Sequence, residues 1–311
     1  MRTHLLLAAG VAVLGAAYVA AQGEGRFAVR SELVVLHAAV TDEGGRFVGG
    51  LPPDAFRVLD EGRPQVVSIF ADEEAPATVG LLIDVSGSML KNRDRMIAAI
   101  TTFAEASHPD DEFLPVVFNE RVTAALPSER RFTDDPSELR DALTGRLDAR
   151  GRTAFHDALA EALDGIGHGR HERRVLIVLS DGGDNASRLT FDQVLRKVQA
   201  SDVVIYTIAL LDPLSHDGNP KALRRLAEAT GGLAFHPRRA SAVGDVFASI
   251  AADIRSRYTL AYVPTDVGTD ARFRRIRVTA HAPGRSRLEV RTRTGYMTGA
   301  PSVGNRFEAP R

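Results

Sequence analysis

Hydrophobic and polar positions change rhythm twice along this chain. From about residue 27 to 70 they alternate in short runs, as in Leu33-Val34-Val35-Leu36-His37-Ala38-Ala39-Val40 and Phe56-Arg57-Val58-Leu59. Two similar clusters punctuate the runs, Val40-Thr41-Asp42-Glu43-Gly44-Gly45 and Val58-Leu59-Asp60-Glu61-Gly62-Arg63. Asp, Glu and Gly between β-rich runs read as hairpin loops, so this region is expected to be all-β. A short acidic linker, residues 71–76, follows.

Between residues 77 and 258 apolar runs alternate with stretches of helical period. Strands are expected at 79–83, 113–118, 122–125, 175–179, 203–208 and 233–235. The intervening stretches 91–105, 136–147, 154–166, 190–200, 220–229 and 240–257 read as helices. Pro136 and Pro220 stand where a first helical turn tolerates proline, and Gly231-Gly232 stops the fifth helix. Strand and helix in this order predict an α/β fold, a doubly wound and mainly parallel sheet with helices on both faces.

After residue 257 the β texture returns, at 258–263, 273–280 and 288–294. Phe273-Arg274-Arg275-Ile276-Arg277-Val278 alternates as a strand with one wet face does. Residues 298–311 carry no period and read as a disordered tail. Each flanking β region has too few strands to be stable alone. Segments 27–72 and 259–297 are therefore expected to pair into one β-sandwich into which the α/β domain is inserted; two separate small β modules would read the same way.

Composition narrows the setting. With 39 Lys and Arg against 40 Asp and Glu, there is no electrostatic case for nucleic acid or an anionic membrane as a general partner. Arg2 and His4 precede an apolar stretch, Leu5 to Ala21, that ends in Val19-Ala20-Ala21-Gln22. This is the layout of a secretory signal peptide spanning 1–21, which predicts export to the periplasm, the cell surface or the medium. Retention of that stretch as a membrane anchor is the rival reading, and the one route to a membrane. With no cysteine the chain has neither disulfides nor thiolate metal ligands.

The expected buried strand Val79-Gly80-Leu81-Leu82-Ile83 ends at Asp84-Val85-Ser86-Gly87-Ser88. A second, Val175-Leu176-Ile177-Val178-Leu179, ends at Ser180-Asp181-Gly182-Gly183. Ligands of open α/β sheets bind beyond the carboxyl ends of strands. Two acids at the ends of neighbouring core strands repel each other in a dry site, and a divalent cation between them removes that cost.

The sequence Asp84-Val85-Ser86-Gly87-Ser88 resembles the D-x-S-x-S loop of the von Willebrand factor type A domain, which carries a metal-ion-dependent adhesion site. Gly151-Arg152-Thr153 fits the second loop of that site, and Asp181 the Asp of the third. The resemblance spans residues 77–258. It implies a Rossmann-like fold and a divalent cation, Mg²⁺ first and Mn²⁺ or Ca²⁺ as alternatives. Ser86 and Ser88 would bind the ion directly, and Thr153 directly or through water. Asp84 and Asp181 would act mainly through water or by accepting from the ligating hydroxyls. It further implies that a partner's Asp or Glu fills the open position, and that the last helix, 240–257, is the element that shifts in better-known relatives. The whole chain also resembles a group of exported bacterial proteins with this domain, down to a stretch like Arg291-Thr292-Arg293-Thr294-Gly295-Tyr296.

The expected function is accordingly a metal-dependent protein-binding module of the adhesion type, with no catalysis. A cell-envelope scaffold with a structural metal is the alternative. Ser86, His156 and Asp181 could form a hydrolytic triad, yet no G-x-S-x-G elbow is present and Ser88 and Asp84 would have no task in that mechanism. Thr153 has a second reading as a helix cap, and Asp184 and Asn185 read as a polar turn outside the site.

Overall fold

The computed structural model describes residues 33–72, 74–85, 93–146, 151–211, 218–265, 271–285 and 287–298. The expected export segment, Ser86, Ser88 and residues 299–311 lie outside them. Four strands precede the central layer: β1 (Val34–Thr41), β2 (Phe56–Asp60), β3 (Arg63–Gln65) and β4 (Ile69–Ala71). The central strands are β5 (Ala77–Asp84), β6 (Glu112–Phe118), β7 (Val122–Ala124), β8 (Arg173–Ser180), β9 (Val204–Ala209) and β10 (Ala234–Phe235). Between and after them run α1 (Arg93–Glu105), α2 (Pro136–Arg146), α3 (Phe155–Ile166), α4 (Phe191–Ala200), α5 (Pro220–Thr230) and α6 (Val243–Arg255). The chain then adds β11 (Arg257–Tyr262), β12 (Phe273–Ala280), β13 (Glu289–Arg291) and β14 (Gly295–Met297).

The six central strands order as β10-β9-β8-β5-β6-β7 and pair in parallel, except that β7 runs antiparallel to β6. Every residue of β5 and β8 is buried, which is why both read as continuous apolar runs rather than as alternating ones. The two-residue period of a strand sorts their side chains between two cores. Val79, Leu81 and Ile83 pack with α1, α2 and α6, whereas Leu82 packs with α3, α4 and α5. Each fully buried Leu, Ile or Val contributes about 1.5–3 kcal/mol. Helix ends follow their sequence signals. Pro220 opens α5 beside an Asn219 cap, and Gly231 closes it in the left-handed region at φ 76°.

The flanking strands form two further sheets, β13-β1-β11-β4 and β14-β12-β2-β3. Each sheet takes two strands from before the central layer and two from after it. In the first, β1 pairs antiparallel with β11, setting His37 opposite Thr259. Leu36, Val58, Leu260, Tyr262 and Val278 share one core between the two sheets.

Three expected boundaries differ. The run 288–294 yields only β13, because the chain then leaves that sheet: Thr294 N–H donates to the Ala229 carbonyl and the Arg293 guanidinium donates to the Gln199 carbonyl, before β14 joins the other sheet. The last helix is α6 behind a 3₁₀ turn, Ala240–Ala242, and Arg257 already belongs to β11. Thr298, expected in the tail, is buried and donates its N–H to the Arg272 carbonyl.

Candidate metal centre

Asp84 is the last residue of β5 and is 0 % exposed; Ser180 ends the adjacent β8. The Ser180 hydroxyl donates to Asp84 Oδ2 at 2.8 Å and accepts from the Gly182 N–H at 3.0 Å. Asp181, 7 % exposed, accepts the Gly183 N–H on Oδ1 at 2.8 Å, while its carbonyl accepts the Asn219 N–H at 2.8 Å. Gly182 turns the loop at φ 78°, where a Cβ would lie 2.6 Å from the Asn219 carbonyl oxygen. The turn thus needs glycine for both conformation and space.

Thr153, 9 % exposed, is clamped to the same loop. Its N–H donates to Asn185 Oδ1 at 2.9 Å, and its carbonyl accepts from the N–H groups of Asn185 and Ala186 at 2.9 and 3.1 Å. The cap position of α3 is held by Ala154 without a side-chain hydrogen bond, so Thr153 does not serve as the helix cap. Among the described residues nothing hydrogen-bonds the Thr153 hydroxyl. The next residue continues the circuit: Ala154 N–H donates to the Asn119 carbonyl at 2.7 Å, and Val85 N–H donates to the Phe118 carbonyl at 2.8 Å.

Hydrogen bonds and chain links together connect the ends of β5 and β8 with Thr153: Ser180 donates to Asp84, Asn185 holds Thr153, and the N–H groups of Ala154 and Val85 reach the successive carbonyls of Asn119 and Phe118. Asp84, Thr153 and Asp181 are thereby gathered at the C-terminal edge of the sheet. Their donors are hard oxygens, two of them on carboxylates removed from bulk water, which is the chemistry a divalent cation needs. The residues present fit such an ion. Ser86 and Ser88, the expected direct ligands, fall outside the described residues.

The sequence reading left out Ser180, Asp184 and Asn185. Asp184 Oδ2 accepts the His156 N–H at 2.9 Å and the Ser187 hydroxyl at 2.5 Å, and lies 3.3 Å from His156 Nδ1. That ring nitrogen also sits 3.1 Å from the Leu189 carbonyl, so His156 is engaged by Asp184 and Leu189 rather than by Asp181. The signal was present in Ser180-Asp181-Gly182-Gly183-Asp184-Asn185, whose short polar side chains can bond to neighbouring backbone.

Residues 79–249 match the model of the von Willebrand factor type A domain. No curated protein matches the chain. Among solved structures it is similar to a von Willebrand factor type A protein from Catenulispora acidiphila, at 17 % identity over 85 % of this chain and 75 % of that one, TM-score 0.47. It is also similar to an aerotolerance-related membrane protein from Bacteroides fragilis, at 15 % identity over 58 % of this chain and 98 % of that one, TM-score 0.46. A third is the PilB minor pilin from Streptococcus sanguinis, at 13 % identity over 60 % of this chain and 63 % of that one, TM-score 0.47. Because the matching model covers more than half of the residues, the chain belongs to the von Willebrand factor type A domain family.

Proposed function

We propose that this protein is an exported, metal-dependent binding module whose cation captures an acidic side chain of a partner protein. Domains of this family are protein-interaction modules, and the reading adds the means of interaction. The observation that carries it is the set of hydrogen bonds that ties the segments bearing Asp84, Thr153 and Asp181 together at one end of the sheet.

Ser86, Ser88 and Thr153 would hold Mg²⁺, or Mn²⁺ or Ca²⁺, through hydroxyl oxygens, with Asp84 and Asp181 balancing its charge. Bound there with few anionic ligands, such an ion supplies a Lewis-acidic position open to an incoming carboxylate. Ser180 holds Asp84 through Oδ2, and Asn185 holds Thr153 through its backbone N–H, so these two positions are fixed by the protein itself. Export rests on the basic-apolar-small layout of residues 1–21. Among the described residues no helix is long and apolar enough to cross a membrane.

Calorimetric titration of the full chain with Mg²⁺ and Mn²⁺ tests the ion, and a surface bearing Glu-rich peptide tests the capture. The reading expects saturable ion binding that Ser86→Ala with Ser88→Ala removes, and peptide binding that chelation reverses. Equal ion affinity in the double variant would overturn it.

A further inference from the structure

The loops around the metal centre carry a charge pattern that narrows the partner. Arg152 immediately precedes Thr153, and Arg188 lies on the loop that follows Asp181. Arg121 sits in the turn between β6 and β7, two residues after the Asn119 whose carbonyl accepts the Ala154 N–H. Lys221 is the second residue of α5, whose cap Asn219 donates its N–H to the Asp181 carbonyl. All four therefore stand at the C-terminal edge of the central sheet, on segments bonded to those that bear the expected metal donors.

Each of these four is exposed, and among the described residues none has an ion pair or a side-chain hydrogen bond. The acids on the same segments are placed differently. Asp157 accepts the N–H groups of Arg188 and Leu189, and Asp184 accepts the His156 N–H, so both part-buried carboxylates are turned to the backbone. Glu120 is the exposed acid of these segments, with its carboxylate beside Gly151. At the opposite edge of the sheet the cations have acids of their own: Arg170 lies 3.4 Å from Asp134, and Arg174 lies 3.0 Å from Asp202.

A single carboxylate on the ion would leave the four cations in water. A segment with further acids beside the ligating one can reach them, and such complementarity at a rim raises the association rate and selects the partner. We propose that the partner presents an acidic segment, one Asp or Glu for the ion and several more beside it for Arg121, Arg152, Arg188 and Lys221. This rests on the metal-dependent capture described above and adds which acidic residues are taken, those embedded in negatively charged sequence. Exposed ion pairs are individually weak and screened by salt, so the preference is the sum of several contacts and depends on ionic strength.

The test uses the full chain in Mg²⁺ and two peptides of equal length, each with one central Glu. One has Asp and Glu flanking it and the other Ser and Gln, and binding rates are read on a surface. The acid-flanked peptide is expected to bind about tenfold tighter at low salt, roughly what three or four exposed ion pairs supply together. The gain should lie in the association rate and should largely vanish at about 0.5 M salt. Arg152→Gln with Lys221→Gln should shrink it to about threefold, half the pairs being lost, while Mg²⁺ binding read by calorimetry is not weakened. Equal affinity for the two peptides, or a gain that the double variant keeps in full, overturns the proposal. So does an acid-flanked peptide bound as well in chelator, which marks a rim that takes polyanions without the ion. A chain that binds no Mg²⁺ fails at the metal centre and removes both readings, whereas one that binds Mg²⁺ and captures the two peptides alike removes this one alone.

Discussion

The Ser180 hydroxyl bridges Asp84 and Gly182, donating to the carboxylate at 2.8 Å and accepting from the backbone N–H at 3.0 Å. One side chain thereby joins the end of β5 to the loop after β8. Ser180→Ala leaves a buried carboxylate oxygen and a buried N–H each short of a partner, which costs about 1–3 kcal/mol. Urea unfolding should show that loss, and it should be larger in Mg²⁺ than in chelator, because an Asp84 held less firmly serves the ion less well. A variant as stable as the native chain in both conditions would mean that the bridge does not position Asp84.

Asn185 acts on the second loop in the same manner without being a ligand. Asn185→Ala removes the acceptor of the Thr153 N–H and should cost about 1 kcal/mol. Mg²⁺ affinity, read by calorimetry, should fall with it, although every expected metal donor is still present. Unchanged affinity would show that Thr153 is held in place by its backbone carbonyl bonds alone.

Much of this was legible in the residues. The strands and helices of the central layer follow from apolar runs and helical periods, because a fully buried parallel strand and an amphipathic helix leave different patterns. Asp84 and Asp181 followed from their places at the ends of such strands, and Thr153 from the resemblance to the type A domain. What the sequence concealed is the service of Ser180, Asp184 and Asn185. Their contacts cross between loops that are distant in the chain, Asn185 to Thr153 and Asp184 to His156, and no local period records such a pairing. The break after Arg291 was hidden for a similar reason, since it is the Ala229 and Gln199 carbonyls that draw Thr294 and Arg293 out of the strand.

A buried charge cluster joins the outer sheet to the last helix. Asp253 of α6 receives Arg257 at 2.7 Å, together with Arg291 of β13 and the Tyr206 hydroxyl. Burial would raise the Asp253 pKa, but the charges of Arg257 and Arg291 outweigh it and hold the carboxyl below its ordinary value. Asp253→Asn strands two guanidinium groups and is expected to cost about 3–5 kcal/mol in urea unfolding. A cost under about 1 kcal/mol would mean that water already shields this junction.

His37 makes stability depend on pH in a predictable direction. Burial lowers its pKa from 6.5 to about 3, so between those values the unfolded chain takes up a proton that the folded chain refuses. Stability from this source is complete above pH 6.5 and falls as the pH drops, by at most about 1.4 kcal/mol per unit. His37→Phe should flatten the slope of unfolding free energy across that window. An identical slope in the variant would place the acid sensitivity elsewhere.

The central claim, a divalent cation held at Asp84, Ser86, Ser88, Thr153 and Asp181, is tested most directly by thermal unfolding of the full chain in chelator and then in Mg²⁺, Mn²⁺ or Ca²⁺, beside an Asp84→Ala, Ser86→Ala double variant. A ligand bound only by the folded state adds about 2.7 kcal/mol at a hundredfold excess over its dissociation constant. The account predicts a rise in Tm with at least one ion for the native chain and none for the variant. No rise with any of the three at millimolar concentration, or an equal rise in both proteins, would contradict it.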